Sequence, residues 1–176
     1  DLTKTYNDIL RGITPKCYAN FSNSQINITK TNLKRKEIND HYMGQDGYYI
    51  EDWILKSDTS GVKIYGPHNE KSQNVWLRDD MPVMSIITDK EEGLVNSNIT
   101  KIQRVYDDKI LIDDKIYTAK DFMNKFVVCY AMTNHKVQGV TIKENFIIHE
   151  WYKMSNRERY TAYSRTISKA VSYTHL

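Results

Sequence analysis

Two apolar runs in the last third of the chain constrain its fold most strongly. Residues 126–132 form one continuous apolar stretch, and residues 146–149 form a second strand-like run. Continuous runs of this length are typical of parallel strands that are buried on both faces. A polar turn follows the first run, and residues 156–164 follow the second as a helix with Tyr160 and Tyr163 on one face. Strands that alternate with helices predict an α/β domain with a doubly wound parallel sheet.

The beginning of the chain has the same character. Apolar residues at helical spacing predict a short helix that starts near Leu2 and ends at Gly12. Residues 26–29 alternate between apolar and polar, as a half-buried strand would. Thr31 can cap the helix that follows. We expect the inward face of that helix to carry Leu33, Ile38 and Tyr42 or Met43.

The middle of the chain, residues 44–119, has short β-rich runs separated by Gly, Asp and Asn. The pairs Asp107-Asp108 and Asp113-Asp114 lie between or after alternating strands, which is a hairpin-and-meander pattern. This pattern predicts a small antiparallel β subdomain inserted into the α/β domain. We therefore assign residues 1–43 and 120–176 to the α/β domain and residues 44–119 to the insertion.

Composition excludes few classes of function. The chain has 176 residues, of which 40% are hydrophobic, and its formal net charge is +3. This apolar content argues against disorder, and the mild positive charge permits a polyanionic partner without establishing one. The abundance of Lys, Asn, Ile and Tyr matches AT-rich codons, and it favours an AT-rich genome such as that of a large DNA virus, a protist or a low-GC bacterium.

The two cysteines, Cys17 and Cys129, do not make a disulfide framework. Free thiols favour a reducing intracellular compartment, whether cytoplasm, nucleus or viral factory. The Asn-x-Ser/Thr triplets at Asn20, Asn27 and Asn98 suggest a secreted glycoprotein instead, although a chain this rich in Asn, Ser and Thr acquires such triplets by chance. No apolar run has transmembrane length and the histidines lack metal-ligand spacing, so we predict no membrane span and no metal site.

Two polar segments carry the candidate chemistry. Residues 133–141 have the sequence T-N-H-K-V-Q-G-V-T, and residues 160–165 have the sequence Y-T-A-Y-S-R. In this order, with an apolar strand-like run between them, the two segments resemble motifs V and VI of superfamily 1 nucleic-acid helicases. A shorter segment, T-N-x-x-R at residues 31–35, resembles motif IV of the same proteins.

The middle of the chain extends this resemblance. Residues 81–84 have the sequence M-P-V-M, and residues 93–97 have the sequence G-L-V-N-S. They are similar to a segment of RecD-like, Dda-like and PIF-type helicases that passes through a small SH3-like subdomain called 2B. Asp80 and Ser97 stand where those families usually have glycine. We therefore expect the tight turn after Asn96 to be made differently.

The resemblance implies that the chain is the C-terminal part of an ATP-dependent superfamily 1 DNA helicase. Its fold would be an incomplete RecA-like domain of the P-loop NTPase type, called 2A, with the SH3-like 2B insertion. The implied partner is single-stranded DNA or RNA, and the implied activity is 5′-to-3′ unwinding in DNA replication or repair.

The chemistry of ATP hydrolysis needs parts that this sequence does not contain. It has no G-x-x-x-x-G-K-[ST] segment, and its paired acidic residues, such as Asp113-Asp114, belong to the hairpin pattern of the middle region and do not follow a buried parallel strand as a Walker B segment would. The resemblance places both segments in an N-terminal RecA-like domain, 1A, of a full-length protein that binds ATP and Mg²⁺. We expect this fragment alone to bind neither and to have no ATPase activity.

The resemblance also assigns roles to individual residues. Arg165 is expected to reach the ATP γ-phosphate and Gln138 to hydrogen-bond across the cleft between the RecA-like domains, so both are catalytic candidates. The nucleotide-binding candidates are Gly139, Arg165 and Arg35. The nucleic-acid-binding candidates, which can contact the phosphates of a single strand, are His135, Lys136, Thr141 and Asn32.

Plainer interpretations stand beside these roles. Arg165 taken alone fits a surface salt bridge, and Arg35 fits a solvated helix residue equally well. The three tryptophans, Trp53, Trp76 and Trp151, can stack on bases, but nothing in their spacing selects one. The alternative function is a non-enzymatic nucleic-acid-binding module derived from a helicase.

Overall fold

A computed structural model of the chain describes residues 2–15, 26–43, 62–64, 73–106, 109–142, 146–165 and 171–173. In chain order the elements are α1 Leu2–Leu10, β1 Ile26–Thr29, α2 Asn32–Met43, β2 Val62–Ile64, β3 Val75–Leu77, β4 Pro82–Ser85, β5 Ile99–Tyr106, β6 Lys109–Ile112, β7 Lys115–Tyr117, α3 Ala119–Lys125, β8 Phe126–Val128, β9 Ala131–Thr133, β10 Phe146–Ile148, a 3-10 helix Trp151–Lys153, α4 Asn156–Tyr163 and β11 Val171–Tyr173.

The chain forms two compact units, and the second interrupts the first. Unit 1 contains residues 1–35 and 131–176, and unit 2 contains residues 36–130. The order of the parts resembles the predicted order, but the boundaries lie elsewhere than at residues 43 and 120. Met43, Phe122 and Phe126 belong to the apolar core of unit 2, which explains why α3 and most of α2 group with that unit.

Unit 1 is an α/β unit whose described strands form a parallel sheet in the order β11-β10-β1-β9. Ile28, Phe146 and Ile148 are fully buried in it. On one flank α1 packs against α4, where the ring of Tyr6 meets those of Tyr160 and Tyr163 edge to face. The predicted parallel α/β sheet is therefore confirmed.

Unit 2 is a β subdomain in which a curled antiparallel sheet has the order β7-β6-β5-β4-β8. The hairpin between β6 and β7 turns at Asp113 and Asp114, which have φ of 49° and 60°. Positive φ at both central residues is the requirement of a type I′ turn, whose twist matches that of the strands. The predicted antiparallel insertion is therefore confirmed, while the pair Asp107-Asp108 lies outside the described residues.

The prediction of one buried parallel strand over residues 126–132 was wrong. The run divides into β8, which pairs antiparallel with β4, and β9, which pairs parallel with β1. Cys129 lies between them and donates its backbone N–H to Pro82 O at 2.9 Å. A run that is buried on both faces carries no signal for strand direction, so hydrophobicity alone could not reveal the division.

Leu33 was predicted to face inward, and this was also wrong, because its side chain is 79% exposed. Ile38 and Met43, from the same predicted face, are buried. Leu33 and Ile38 are five residues apart, and an α-helix with about 3.6 residues per turn places such a pair on different faces. The capping prediction is confirmed, since Thr31 Oγ1 accepts from Lys34 N at 3.2 Å.

Asp80 and Ser97, the two positions where related sequences were expected to have glycine, both adopt the left-handed backbone. Their φ angles are 65° and 69°. The turn after Asn96 therefore uses a left-handed residue although no glycine supplies it. Non-glycine residues are strained in this conformation, so glycine would relieve strain in the turns at Asp80 and Ser97.

We predict that Asp80→Gly raises the free energy of unfolding by about 0.5–1 kcal/mol, because glycine adopts a positive φ without a Cβ clash. Asp79→Gly is the matched control, since Asp79 has an ordinary φ and its Oδ1 accepts from Val105 N at 2.7 Å. The control should destabilise the fold by about 1 kcal/mol. Urea unfolding of both variants checks the prediction, and equal losses in the two would contradict it.

Candidate functional site

The carboxyl ends of β1, β9 and β10 lie at one edge of the parallel sheet. In open α/β sheets this edge is where ligands bind. The strand ends are tied to one another, since Asn134 N donates to Thr29 O and His149 N donates to Ile28 O, each at 2.8 Å. The segments that follow these strand ends include the motif V candidates after β9 and the motif IV candidates after β1, whereas Arg165 lies at the far end of α4.

The motif V segment forms a tight turn after β9. Lys136 N and Val137 N both donate to Thr133 O, at 2.9 and 3.1 Å. The fully buried Val137 anchors the turn, which leaves His135, Lys136 and Gln138 exposed. A rigid turn that presents donors to solvent can bind an anionic partner without a large ordering cost.

Gly139 ends this turn with φ of 92°, a conformation that L side chains rarely adopt. A Cβ added here would meet no atom within 4 Å among the described residues. The glycine is therefore required for its backbone conformation, and the space beside it is open among the described residues. Thr141, two residues later, is exposed.

Helix α4 carries the motif VI segment and begins with a capping box. Ser155 N donates to Glu158 Oε2 at 2.7 Å, and Glu158 N donates to Ser155 Oγ at 3.3 Å. The bond from Ser155, together with an ion pair to Lys30, holds the pKa of Glu158 below its usual value although burial acts against this. The box fixes the start of the helix and hence the direction in which its last turn points.

Arg165 follows the last turn of α4 and its guanidinium is held in place. Nε donates to Thr161 O at 3.0 Å and Nη2 donates to Ser164 Oγ at 2.8 Å. Burial and the neighbouring Tyr160 raise the pKa of the Tyr6 phenol, while the positive charge of Arg165 acts in the opposite direction. Among the described residues, the hydrogen bonds that orient this arginine are made with its own helix and with Ser164.

Motifs V and VI are joined directly. Ile142 N donates to Arg165 O at 2.9 Å, and Asn134 Nδ2 donates to Glu158 O at 3.1 Å. The structure therefore places Gln138 and Gly139 on a segment that is hydrogen-bonded at both ends to the helix of Arg165. A shift of α4 would be transmitted to the motif V turn through these two bonds.

The motif IV candidates form a separate pair at the start of α2. Asn32 is exposed, and its Oδ1 accepts from Arg35 Nε at 3.2 Å. Arg35 is only 8% exposed, so most of its guanidinium is withdrawn from solvent. Asn32 presents a polar side chain to solvent at the same sheet edge as the motif V turn. Arg35 is buried and holds Asn32 through this hydrogen bond.

The sequence did not nominate Glu150, a buried carboxylate at the end of β10. Its Oε2 accepts from Lys30 N at 3.1 Å and from Thr31 N at 2.9 Å, and Lys153 Nζ donates to Oε1 at 3.3 Å. Burial acts to raise the pKa of Glu150, but the hydrogen bonds from Thr31 and Lys153 outweigh it and hold the pKa below its usual value. An acidic residue directly after a buried parallel strand was the signal in the sequence.

The aromatic candidates for base stacking are placed differently from one another. Trp151 is 1% exposed, with Arg159 over its ring at 5.4 Å, and Trp76 packs against the core of unit 2. Trp53 lies outside the described residues. Tyr152, beside Trp151, is 52% exposed with Lys153 Nζ 5.6 Å from its ring centroid. Tyr152 is therefore an aromatic side chain near this edge that solvent reaches.

Metal sites and membrane-spanning helices are two further features that the described ranges could contain. No group of three or more His, Cys, Asp or Glu residues there could hold a metal ion. None of the helices in that part of the chain combines the length and the apolar character needed to cross a bilayer.

We predict that Glu150→Gln lowers the free energy of unfolding by about 2 kcal/mol at neutral pH, because a buried hydrogen-bonded charge is lost. A carboxylate whose pKa is depressed in the folded state stabilises the fold above its unfolded pKa, about 4.3 for glutamate, and loses this contribution as the pH falls. Urea unfolding of parent and variant at several pH values should give a difference that shrinks on acidification. A difference that stays constant down to pH 3 would contradict the assignment of the charge.

The chain was compared with known proteins and solved structures. No family model matches the sequence, and no curated protein matches it significantly. The structure of two coordinating Pif1 helicases that unwind forked double-stranded DNA matches with a TM-score of 0.65 and 17% identity, over 97% of this chain and 46% of that one. Bacteroides Pif1 bound to single-stranded DNA matches with a TM-score of 0.62 and 18% identity, over 98% and 48%.

A third match is Bacteroides Pif1 in complex with ADP-AlF3 and single-stranded DNA, with a TM-score of 0.59 and 16% identity, over 97% of this chain and 44% of that one. The chain thus spans about half the length of these solved structures. Identities this low establish the fold and leave the activity to be tested. The expected resemblance is confirmed at the level of the fold: the chain is similar to about half of the length of these Pif1 helicase structures and has the fold of an incomplete RecA-like domain with a β subdomain.

Proposed function

We propose that this chain is the C-terminal part of an ATP-dependent superfamily 1 helicase that unwinds DNA 5′ to 3′. It contributes motifs IV, V and VI to single-strand binding and to the coupling of binding with ATP hydrolysis. The observation that carries the proposal is the 2.9 Å backbone bond between Ile142 N and Arg165 O. It connects a segment of exposed donors to an oriented arginine.

Nucleic-acid binding is supported by the residues exposed at the sheet edge. His135, Lys136 and Thr141 offer donors of the kind that contact backbone phosphates, and Asn32 adds a polar group from the neighbouring loop. Contacts of this kind are independent of sequence, which suits a protein that moves along a strand. Single-stranded DNA is the favoured partner because it is the ligand in two of the matched Pif1 structures.

Nucleotide chemistry is supported by the geometry of Arg165. Against the described residues, its guanidinium uses Nε and Nη2 as donors, so the fork retains further N–H groups for phosphate oxygens. Gln138 and Gly139 lie on the linked motif V turn. In this proposal the phosphate cradle and the Mg²⁺ ligands belong to a first RecA-like domain, and Arg165 approaches the γ-phosphate from the second.

We predict that this chain, purified alone, shows no ATPase activity above background, with or without single-stranded DNA. The physical reason is that phosphoryl transfer needs a phosphate cradle and Mg²⁺ ligands, which its sequence does not supply. Steady-state phosphate release checks this. Turnover that copurifies with the chain and stops when Mg²⁺ is chelated would overturn the assignment to the second domain.

We predict that Arg165→Ala, in a longer form of the protein that carries the first domain, leaves nucleotide binding nearly unchanged and lowers the hydrolysis rate by about 10³–10⁵-fold. Arg165→Lys should restore only part of the rate, because an ammonium cannot reproduce the planar fork. Arg157→Ala is the matched control, since Arg157 is exposed on the same helix outside the motif.

In the same assay, His135→Ala distinguishes a role in single-strand binding from a role in ATP hydrolysis. It should weaken single-strand binding, or the stimulation of ATPase by DNA, with a milder loss of basal hydrolysis. The measurement is the ATPase rate of each variant with and without single-stranded DNA. If Arg165→Ala hydrolyses ATP within a few-fold of the parent, the motif VI assignment is wrong, and a non-enzymatic binding module becomes the better interpretation.

A further inference from the structure

Glu150 is the centre of a polar network beneath the proposed nucleic-acid contacts. Its carboxylate accepts the two backbone N–H groups of Lys30 and Thr31, and both oxygens lie within 3.1 Å of Thr31 Oγ1. Glu150 is 3% exposed. The turn that connects β1 to α2 is therefore held by a buried negative charge that comes from another strand.

The network continues to the motif V turn. Lys30 Nζ donates to Lys153 O and to Glu158 Oε2, the latter at 3.3 Å. Glu158 O in turn accepts from Asn134 Nδ2 at 3.1 Å. A continuous set of hydrogen bonds thus links the loops after β10, β1 and β9.

The backbone at Glu150, the residue before the 3-10 helix, adopts a conformation that is costly for glutamate. Its φ is 57°, in the left-handed region that favours glycine or asparagine. Glutamate is costly here, and a strained residue at a binding edge points to a role beyond packing. With this backbone conformation, the carboxylate lies in the β1–α2 turn and accepts from the backbone N–H groups of Lys30 and Thr31.

We propose that Glu150 is a positioning residue for single-strand binding: its carboxylate fixes the β1–α2 turn, and with it Asn32, in the geometry that contacts the nucleic-acid backbone. The proposal rests on the proposed function of this edge. Glu150 itself is too deeply buried to touch a ligand. It acts through Thr31, which is the residue before Asn32 and caps its helix.

The role of this carboxylate can be tested by removing it through substitution and then adding a small carboxylate to the solution. Glu150→Gly deletes the anion and relieves the positive φ, so the variant should fold while the turn loses its anchor. Small carboxylates such as acetate fit the space and the donors that the side chain leaves. Glu150→Gln fills the same space with an amide, so added acetate finds no room there.

The test is the affinity of this chain for a fluorescently labelled oligothymidylate, measured by anisotropy. We expect Glu150→Gly to weaken binding about tenfold, the order expected when contacting groups lose their bound geometry. Sodium acetate should restore most of the loss, whereas sodium chloride at equal ionic strength should not. Acetate should leave the affinities of the parent and of Glu150→Gln unchanged.

Glu92→Gln is the matched control. Glu92 accepts from Lys125 Nζ in unit 2, so its substitution also removes a carboxylate that is paired with a lysine, and DNA affinity should stay at the parent value. If Glu150→Gly does not fold, Glu150→Asn, which tolerates the left-handed backbone, takes its place in the same comparison.

Binding by Glu150→Gly within about twofold of the parent, or equal recovery in acetate and chloride, would overturn the positioning role. A parent chain that does not bind the oligothymidylate would refute the proposed function of the edge, and the role of Glu150 with it. A parent that binds beside an unaffected variant would refute the role of Glu150 alone, so the two failures are distinguishable.

Discussion

The architecture of unit 1 depends on the parallel pairing of β1 with two neighbours at once. β1 pairs with β10 on one side and with β9 on the other, and Asn27, Ile28 and Thr29 are buried between them. Because all three strands run in the same direction, their carboxyl ends meet at one edge. Three loops that are distant in sequence are thereby brought together, with no contribution from the loops themselves.

This edge combines exposed donors with a rigid polar layer beneath them. A buried carboxylate such as Glu150 is costly unless its oxygens are hydrogen-bonded, and here they accept from Lys30, Thr31 and Lys153. The capping box of α4 and the buried Val137 fix the other two loops. The exposed residues therefore project from hydrogen-bonded supports, which limits the entropy lost on binding.

The type of an element could be predicted from its hydrophobic pattern where that pattern is clear, as in the strands β1 and β10 and in the helix α4. Periodicity failed where burial carries no direction: β8 and β9 are equally apolar, yet one runs antiparallel and the other parallel to its partner. The exposed candidates at this edge could be nominated from their motifs, and their roles stay a prediction. Glu150 could not be recognised in the sequence, since its hydrogen bonds join residues more than a hundred positions apart. The burial of Arg35 could not be recognised either, since it depends on how deeply one face of α2 lies in the fold.

The carboxylate of Glu150 occupies the turn after β1, and this limits how such a domain could take part in phosphate chemistry. In P-loop domains the backbone N–H groups at this kind of turn cradle a phosphate. Here the N–H groups of Lys30 and Thr31 bond to the carboxylate of Glu150, so a phosphate would have to displace a buried anion. Under the proposed function, the nucleotide must therefore be held by another domain. Under the same proposal, unit 1 contributes a side-chain donor to the nucleotide phosphates. That donor is the guanidinium of Arg165, which hydrogen bonds orient at the end of α4.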